Sequence, residues 1–589
     1  VGPGRGLEAI GDVPWATLSP GDTVLIHRRT EPYREKWVIG RSGTADAPIT
    51  IRGVPDGEGR RPVIEAAGAV TAPELNYWGE ERGIIKVGGS NIPADTTPRF
   101  LVIESLEVRG ARPGRSFTGD DGRQAEYASN AAGIYVEKAE DLLIRDCVLS
   151  DCGNGLFIGI FGGATKRMVV EGCYLHGNGI EGSAYEHNSY TAAVGIDFRL
   201  NRYGPLRVGC GGNNLKDRSV GTVIRCNWIE GGNRQLDLVD CEDEPALSGD
   251  PAYRTTFVFG NVLLEGTDDG NSQIVHYGGD SGKTGSYRKG TLHFYGNTVC
   301  SYRSGNTTLF RLSTNNESCD CRGNILYVGQ PGSRLAMLDA DGNLELRGNW
   351  IKPGWVASHG TLRGSILDRG GQITDGPVGF LDEAGRDFRL AESSPCRGMG
   401  PALAAAAVPA HGLVEQYRMH QTGETRPIGG PPDLGAFGVG TASGEEAPPE
   451  PLLGARARLR VRFDGAVGRD RLTLSGVLDW PAGLATEGAP VRLEVAGVEA
   501  GAVLDHRGRA EDDGFRFAWS VSRGGRTGRF RAAFSGASPR EGLSDAGWPQ
   551  AATGQPRDLP FRLSLGGSVF EGLARGLWTA VPGRGGRFR

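Results

Sequence analysis

The sequence is short of several features that would announce a function. No run approaches 18 consecutive apolar residues, which excludes an α-helical membrane span. The formal net charge is only −5 over 589 residues, so no nucleic-acid partner of the histone kind is expected. Methionine is scarce, at four residues, and the aromatic residues are scattered, so no cofactor box stands out. The ten cysteines fall into no zinc pattern, and Cys319-Asp320-Cys321 is too tight for a structural site. The Gly-rich stretch at 209–212 lacks the strand-to-helix context of a phosphate loop. No charged-then-apolar leader precedes Val1, and the expectation is the mature product of an exported precursor, secreted, periplasmic or on the cell surface.

Glycine, in contrast, is abundant: 95 residues without a collagen period, which suits a fold that turns every few residues. A chain of this length exceeds one ordinary core, unless the core grows along an axis. A recurring slot points to that solution. Apolar-rich strands run into a short turn whose same position holds Cys147, Cys173, Asn201, Asn227, Asn261, Asn297, Asn324 and Asn349, at spacings of 26, 28, 26, 34, 36, 27 and 25 residues. An inward amide refilled once per coil satisfies backbone groups that each corner would otherwise orphan. The fold expected is all-β: a right-handed parallel β-helix, a solenoid with an asparagine ladder. Cys147 and Cys173 sit on neighbouring coils, where a strand spacing of ~4.8 Å permits a disulfide or two stacked free thiols.

Residues 1–440 are assigned to the β-helix with its N-terminal cap, the segment 387–437 supplying its closing coils. Residues 441–451, rich in Gly, Glu and Pro, form a linker. From 452 to 589 the pattern changes. Strict alternation in Arg456-Ala457-Arg458-Leu459-Arg460-Val461-Arg462 and in Val491-Arg492-Leu493-Glu494-Val495 predicts antiparallel strands with one wet face, a small β-sandwich. Insertions at Arg112–Ser129, Asp240–Tyr253 and Gly278–Lys289 are expected to wall a groove on the solenoid.

Two polar segments stand out, Tyr185-Glu186-His187-Asn188-Ser189-Tyr190-Thr191 and, one coil later, Gly212-Asn213-Asn214-Leu215-Lys216-Asp217-Arg218-Ser219. Stacked by strand register, they place Asn188, Lys216 and Asp237 in one outward column, with Tyr190, Arg218 and Val239 beside it. Removing the proton α to a uronate carboxylate needs a base, a proton donor and a neutralising group. Lys216 is the candidate base, and Tyr190 or His187 the donor. Arg218 and Asn188 would bind the carboxylate. Calcium held by Asp237, Asp240 or Glu242 would share the neutralising role. Arg234 and Asp237 border the patch, and His276, Tyr277 and Arg311 on later coils would extend the groove for substrate.

At these residues, and around Pro20-Gly21-Asp22-Thr23-Val24, the chain resembles the β-helical polysaccharide lyases, most nearly the alginate lyase and chondroitin B lyase family. The resemblance covers roughly residues 10–440. It implies a Lys base paired with an Arg proton donor on adjacent coils, often with calcium, and Lys216 loosely matches the Lys-bearing strand. The next slot is Asp237 where that family has Arg; Arg218 shares the strand of Lys216 instead. The function expected is that of an exported, monomeric enzyme, a lyase cleaving an acidic, uronate-containing polysaccharide by β-elimination. The alternatives are a glycoside hydrolase pairing Asp237 with Asp240 or Glu242, and a non-catalytic carbohydrate-binding rod.

Overall fold

The computed structural model describes residues 1–427 and 430–439 throughout, and beyond 449 mainly the strands. The chain divides into two compact units, Val1–Thr441 and Ala442–Arg589.

In the first unit each coil contributes one strand to each of three sheets. Glu140–Arg145, Val148–Ser150 and Asn154–Ile158 make one coil. Lys166–Glu171, Tyr174–His176 and Ser189–Thr191 make the next, each strand parallel to its predecessor. Repetition builds parallel sheets of 12, 10 and 13 strands, the last including an antiparallel strand, Gln124–Glu126, from the first insertion. This is a right-handed parallel β-helix. Its interior is a continuous stack of aliphatic side chains, among them Leu142, Ile144, Leu149, Leu156, Val170 and Leu175. Burial at about 25 cal/mol per Å² of apolar surface along the whole axis is what holds the coils together.

The corner between the first and second sheets explains the recurring slot. The residue just before it is left-handed in eight successive coils: Asp146, Gly172, Leu200, Cys226, Gly260, Gly296, Gly323 and Gly348, with φ between 51° and 65°. Glycine takes that conformation without steric cost, and it fills five of the eight positions. The following side chain points inward. Each Asn oxygen accepts the backbone N–H of the slot one coil earlier, as Asn227 does for Asn201 and Asn261 for Asn227, both at 2.9 Å. Each amide nitrogen reaches back to a carbonyl, for example Asn227 Nδ2 to Phe198 O at 2.9 Å. Gln372 receives the last bonds from Asn349, and Cys173 and Cys147 occupy the same place at the other end. Both are free thiols, as are the other eight cysteines, and the Cys147 N–H donates to Cys173 Sγ at 3.5 Å.

The segment expected to close the solenoid does not coil. After Ser365–Asp368, the last strand of the first sheet, the chain forms two hairpins, Phe380–Asp382 with Asp387–Leu390 and Glu415–Arg418 with Thr422–Thr425. It returns along the outside as a strap. Phe388, Tyr417, Ala436 and Phe437 cover the outward Trp228, Val262, Leu264 and Cys300 of the second sheet. Ala407, Leu403 and Leu413 cover Phe257, Phe259 and Tyr295 of the first. These outward apolar residues have the hydrophobic partner they need, and the outward polar and aromatic side chains of the third sheet are left together on its face.

In the second unit the strands from Arg458 onward pair antiparallel, as the alternation predicts. They join in one order, from Val498–Val503 through Ala552–Leu565, Ser568–Val581 and Arg458–Arg462 to Arg509–Asp512. The expected linker lies outside the described residues except for Glu450 and Pro451, which pair parallel with Ser568–Val581. Among the described residues no helix is long and apolar enough to cross a membrane.

Candidate functional site

Alternation along the third sheet sends one residue per coil inward and the next outward. Leu215 and Leu236 are buried inside, and the outward column reads Tyr135, Phe157, Tyr190, Lys216, Asp237, His276 and Arg311. Tyr190 therefore pairs with Lys216, a two-residue correction to the expected register. Asn188 is not in the groove. It lies inside, at the second corner, donating to Gly204 O and Asn214 Oδ1 at 2.8 and 2.7 Å and accepting from Asn178 at 2.9 Å. Tyr277 also points inward, beside Leu238 and Leu312, and belongs to the core.

Asp237 is the hub of the column. Its Oδ2 accepts from Lys216 Nζ at 2.8 Å and from Asn213 Nδ2 at 2.7 Å, and its Oδ1 meets His276 Nδ1 at 2.7 Å. Burial alone would raise the Asp237 pKa. The charge of Lys216 and the bond to His276 outweigh it and hold the carboxyl well below its usual range. Lys216 also pairs with Asp280, a residue of the Gly278–Lys289 insertion. Burial works against its charge, but Asp237 and Asp280 prevail and its pKa stands above that of an ordinary lysine.

Arg218 is enclosed. Its Nε donates to Tyr190 Oη at 2.8 Å, and its other nitrogens reach Asp240 O at 2.7 Å, Glu242 Oε1 at 2.8 Å and Asp280 Oδ1 at 2.9 Å. Burial raises the Tyr190 pKa, so the phenol keeps its proton. The ring packs edge-on against Phe157 and His187, with centroids 5.4 and 5.6 Å away. His187 is buried and accepts the Asn213 N–H at Nδ1. Burial, with Lys216 nearby, lowers its pKa to about 3, so it is neutral and carries no proton to give from Nδ1. Arg234 donates to Gln273 Oε1 at 2.6 Å, at the edge of the column.

The three carboxylates assigned to calcium do not fit that ion as arranged. Asp237 serves Lys216, Asn213 and His276, and Glu242 serves Arg218. Asp240 ties down the neighbouring insertion through the Asp280 N–H and the Ser281 and Ser286 hydroxyls. Their oxygens face three different partners rather than one centre, and among the described residues no group of three or more His, Cys, Asp or Glu converges on a metal position.

Asp280, Asn213 and Ser313 belong to the site and were given no role from the sequence, although Asn213 lies in one of the two polar segments that stand out there. Asp280 and Ser313 lie off the regular strands, where strand alternation has nothing to say. Asn213 precedes the strand bearing Lys216, and its chemistry shows only once Asp237 is stacked above it.

A cavity of about 640 Å³ lies elsewhere, on the second sheet beneath the strap, lined by Glu230, Glu265, Asp269, Tyr302, Glu383 and Arg386 among others. Glu265 there accepts from Ser301 and Thr307, and burial lifts its pKa from 4.5 to about 7. Glu230 is paired with Arg386, and Glu383 accepts from Tyr327.

No family model matches the sequence, and no curated protein matches it. Solved structures that resemble it include DFA-IIIase from Arthrobacter chlorophenolicus A6 without its lid, at 14% identity and a TM-score of 0.30, covering 60% of this chain and 82% of that one. A point mutant of the same enzyme aligns at 13% identity and a TM-score of 0.28, covering 65% and 81%. A likeness this low says nothing about what the present chain acts on. The fold rests on its own sheets and the site on its own side chains.

Proposed function

We propose that this protein is a carbohydrate-processing enzyme whose substrate lies along the outward face of the third sheet and is hydrolysed there rather than cleaved by elimination. The observation that carries this reading is the outward column itself. Half-buried aromatic faces, Phe157 and Tyr190, run directly into the hydrogen-bonded charged set Lys216, Asp237 and His276. Aromatic rings offer apolar faces to sugar rings, and the charged groups offer hydrogen bonds to hydroxyls.

Two features argue against uronate elimination. Lys216 sits between two carboxylates that keep it protonated, so it is a poor base near neutral pH. Arg218 has its guanidinium occupied by Glu242, Asp280, the Asp240 carbonyl and Tyr190. The two cations are already met by Asp237, Asp240, Glu242 and Asp280, so neither is free to neutralise a uronate carboxylate. A neutral or lightly charged glycan fits the balance.

The test is product analysis on a panel of neutral, acylated and uronate-containing polysaccharides, following ultraviolet absorbance beside released reducing ends and released acid. Hydrolysis without an unsaturated product is expected. Rising absorbance that disappears in Lys216→Ala would restore the lyase reading, and neither binding nor turnover of any glycan would remove the enzyme reading.

A further inference from the structure

We propose that Asp237, His276 and Ser313 form an acyl-transfer triad that removes ester-linked acyl groups from the glycan. The inference rests on the proposed glycan face and specifies the bond attacked there. The three side chains come from successive coils. Asp237 Oδ1 meets His276 Nδ1 at 2.7 Å, and His276 Nε2 meets Ser313 Oγ at 2.9 Å. A carboxylate can only accept, so the Nδ1–H donates to it and the Nε2 lone pair is left facing the serine. The Gly279 N–H donates to the same Oγ at 2.9 Å, and the hydroxyl proton is shared between His276 Nε2 and the carbonyls of Gly279 and Tyr277, at 3.0 and 3.4 Å.

Lys216 and Asn213 fix the second oxygen of Asp237, so the carboxylate cannot rotate away from the histidine. Asp237 and His276 are each about 2% exposed, while Ser313 is half-buried. A nucleophile, a base and a group that orients the base within hydrogen-bond reach are the requirement for this chemistry, whatever the fold. Burial holds the His276 pKa below its usual value, so the imidazole is neutral and able to accept a proton.

In the reaction, Ser313 Oγ bonds to the acyl carbon as its proton passes to His276 Nε2. Arg311, exposed and next to His276 in the column, is the cation nearest in register to stabilise the developing oxyanion. Collapse breaks the ester C–O bond, and His276 returns the proton to the departing sugar oxygen. Water then attacks the acyl-serine and gives a proton to His276, which passes it to Ser313 Oγ as the acyl–oxygen bond breaks and the carboxylic acid leaves. No oxidant, reductant or co-reactant other than water is needed.

The intact protein would be treated with a fluorophosphonate probe, assayed on p-nitrophenyl acetate and an acetylated polysaccharide, and tested for glycan retention by affinity electrophoresis. Labelling of Ser313 is expected, with a loss of at least about a thousandfold in ester turnover in Ser313→Ala and unchanged glycan retention. Ser313→Cys keeps a polar group for His276 and should exchange fluorophosphonate labelling for iodoacetamide labelling, even if the alanine variant folds poorly. Absent labelling at Ser313, or ester turnover that survives Ser313→Ala, overturns the triad. If glycan retention persists in that case, the glycan reading stands. A labelled Ser313 with ester turnover but no glycan retention sinks the glycan reading and leaves the triad.

Discussion

At the scale of single residues, buried polar groups decide the outcome because each is costly without its partner. Asn261 accepts two bonds from Asn227 and returns its own to Ile224 O, Phe259 O and Asn297. Asn261→Ala should cost about 1–3 kcal/mol in urea unfolding, since it strands the Asn227 N–H inside the corner. Lys216→Ala leaves Asp237 charged, buried and short of its main partner, for a loss of about 3–5 kcal/mol. The stability that Asp237 contributes is present above the ordinary carboxylate range and is lost as pH falls through its depressed value.

Glu265 has the opposite sign. Its folded pKa of about 7 lies above its ordinary 4.5, so its contribution is full below pH 4.5 and is lost as pH rises through 7. Glu265→Gln should remove a decline of about 3 kcal/mol, visible as the difference between variant and parent unfolding curves from pH 5 to pH 8. The difference is the quantity to read, because buried His187 titrates with the reverse slope below pH 6.5.

At the scale of elements, the corner turn was legible because two requirements fall on adjacent residues. The first must accept a left-handed backbone and the second must bring an amide to the interior, which is why Gly-Asn recurs. Gly296 shows the first requirement twice over: its φ is +58°, and a Cβ there would stand 2.7 Å from Leu413 of the strap. Gly296→Ala should destabilise by more than the roughly 1 kcal/mol of the left-handed penalty alone. Thermal melts of Gly296→Ala beside Gly282→Ala, a left-handed glycine with no atom within 4 Å, separate the clash from the strain.

The register of the third sheet was less legible. Asn188 was assigned to the outward column with Lys216 and Asp237, whereas it belongs to a second interior row with Asn178 and Asn214, the latter 26 residues or one coil away. An asparagine at coil spacing serves a corner or a face equally well in one dimension, and only the strand starts Ser189 and Leu215 separate the two. Lys216, Asp237 and His276 were found because each follows or sits within a short apolar strand. Asp280 and Ser313 were not, because chain outside the strands carries no period to count.

At the scale of the whole molecule, the strap decides which face is free. Outward Trp228, Phe257 and Phe259 look like faults in an alternating pattern until the returning segment is placed over them. Nothing in the local sequence around 403–437 names that distant partner, so the strap was taken for more coils. Truncating the chain after Gly379 should expose these residues, raise binding of a hydrophobic dye and lower the melting temperature. Unchanged dye binding would show that the strap is not their cover. With the apolar patches of the other two sheets covered, the aromatic and charged column of the third is the surface on which the functional reading depends.

The most direct test of that reading is glycan affinity measured for the parent protein, for Tyr190→Ala on the third sheet and for Glu383→Gln in the second-sheet cavity. The account predicts binding at least about tenfold weaker for Tyr190→Ala, the loss of one stacking platform, and unchanged binding for Glu383→Gln. Unchanged binding for Tyr190→Ala with loss for Glu383→Gln would contradict it and move the carbohydrate site beneath the strap.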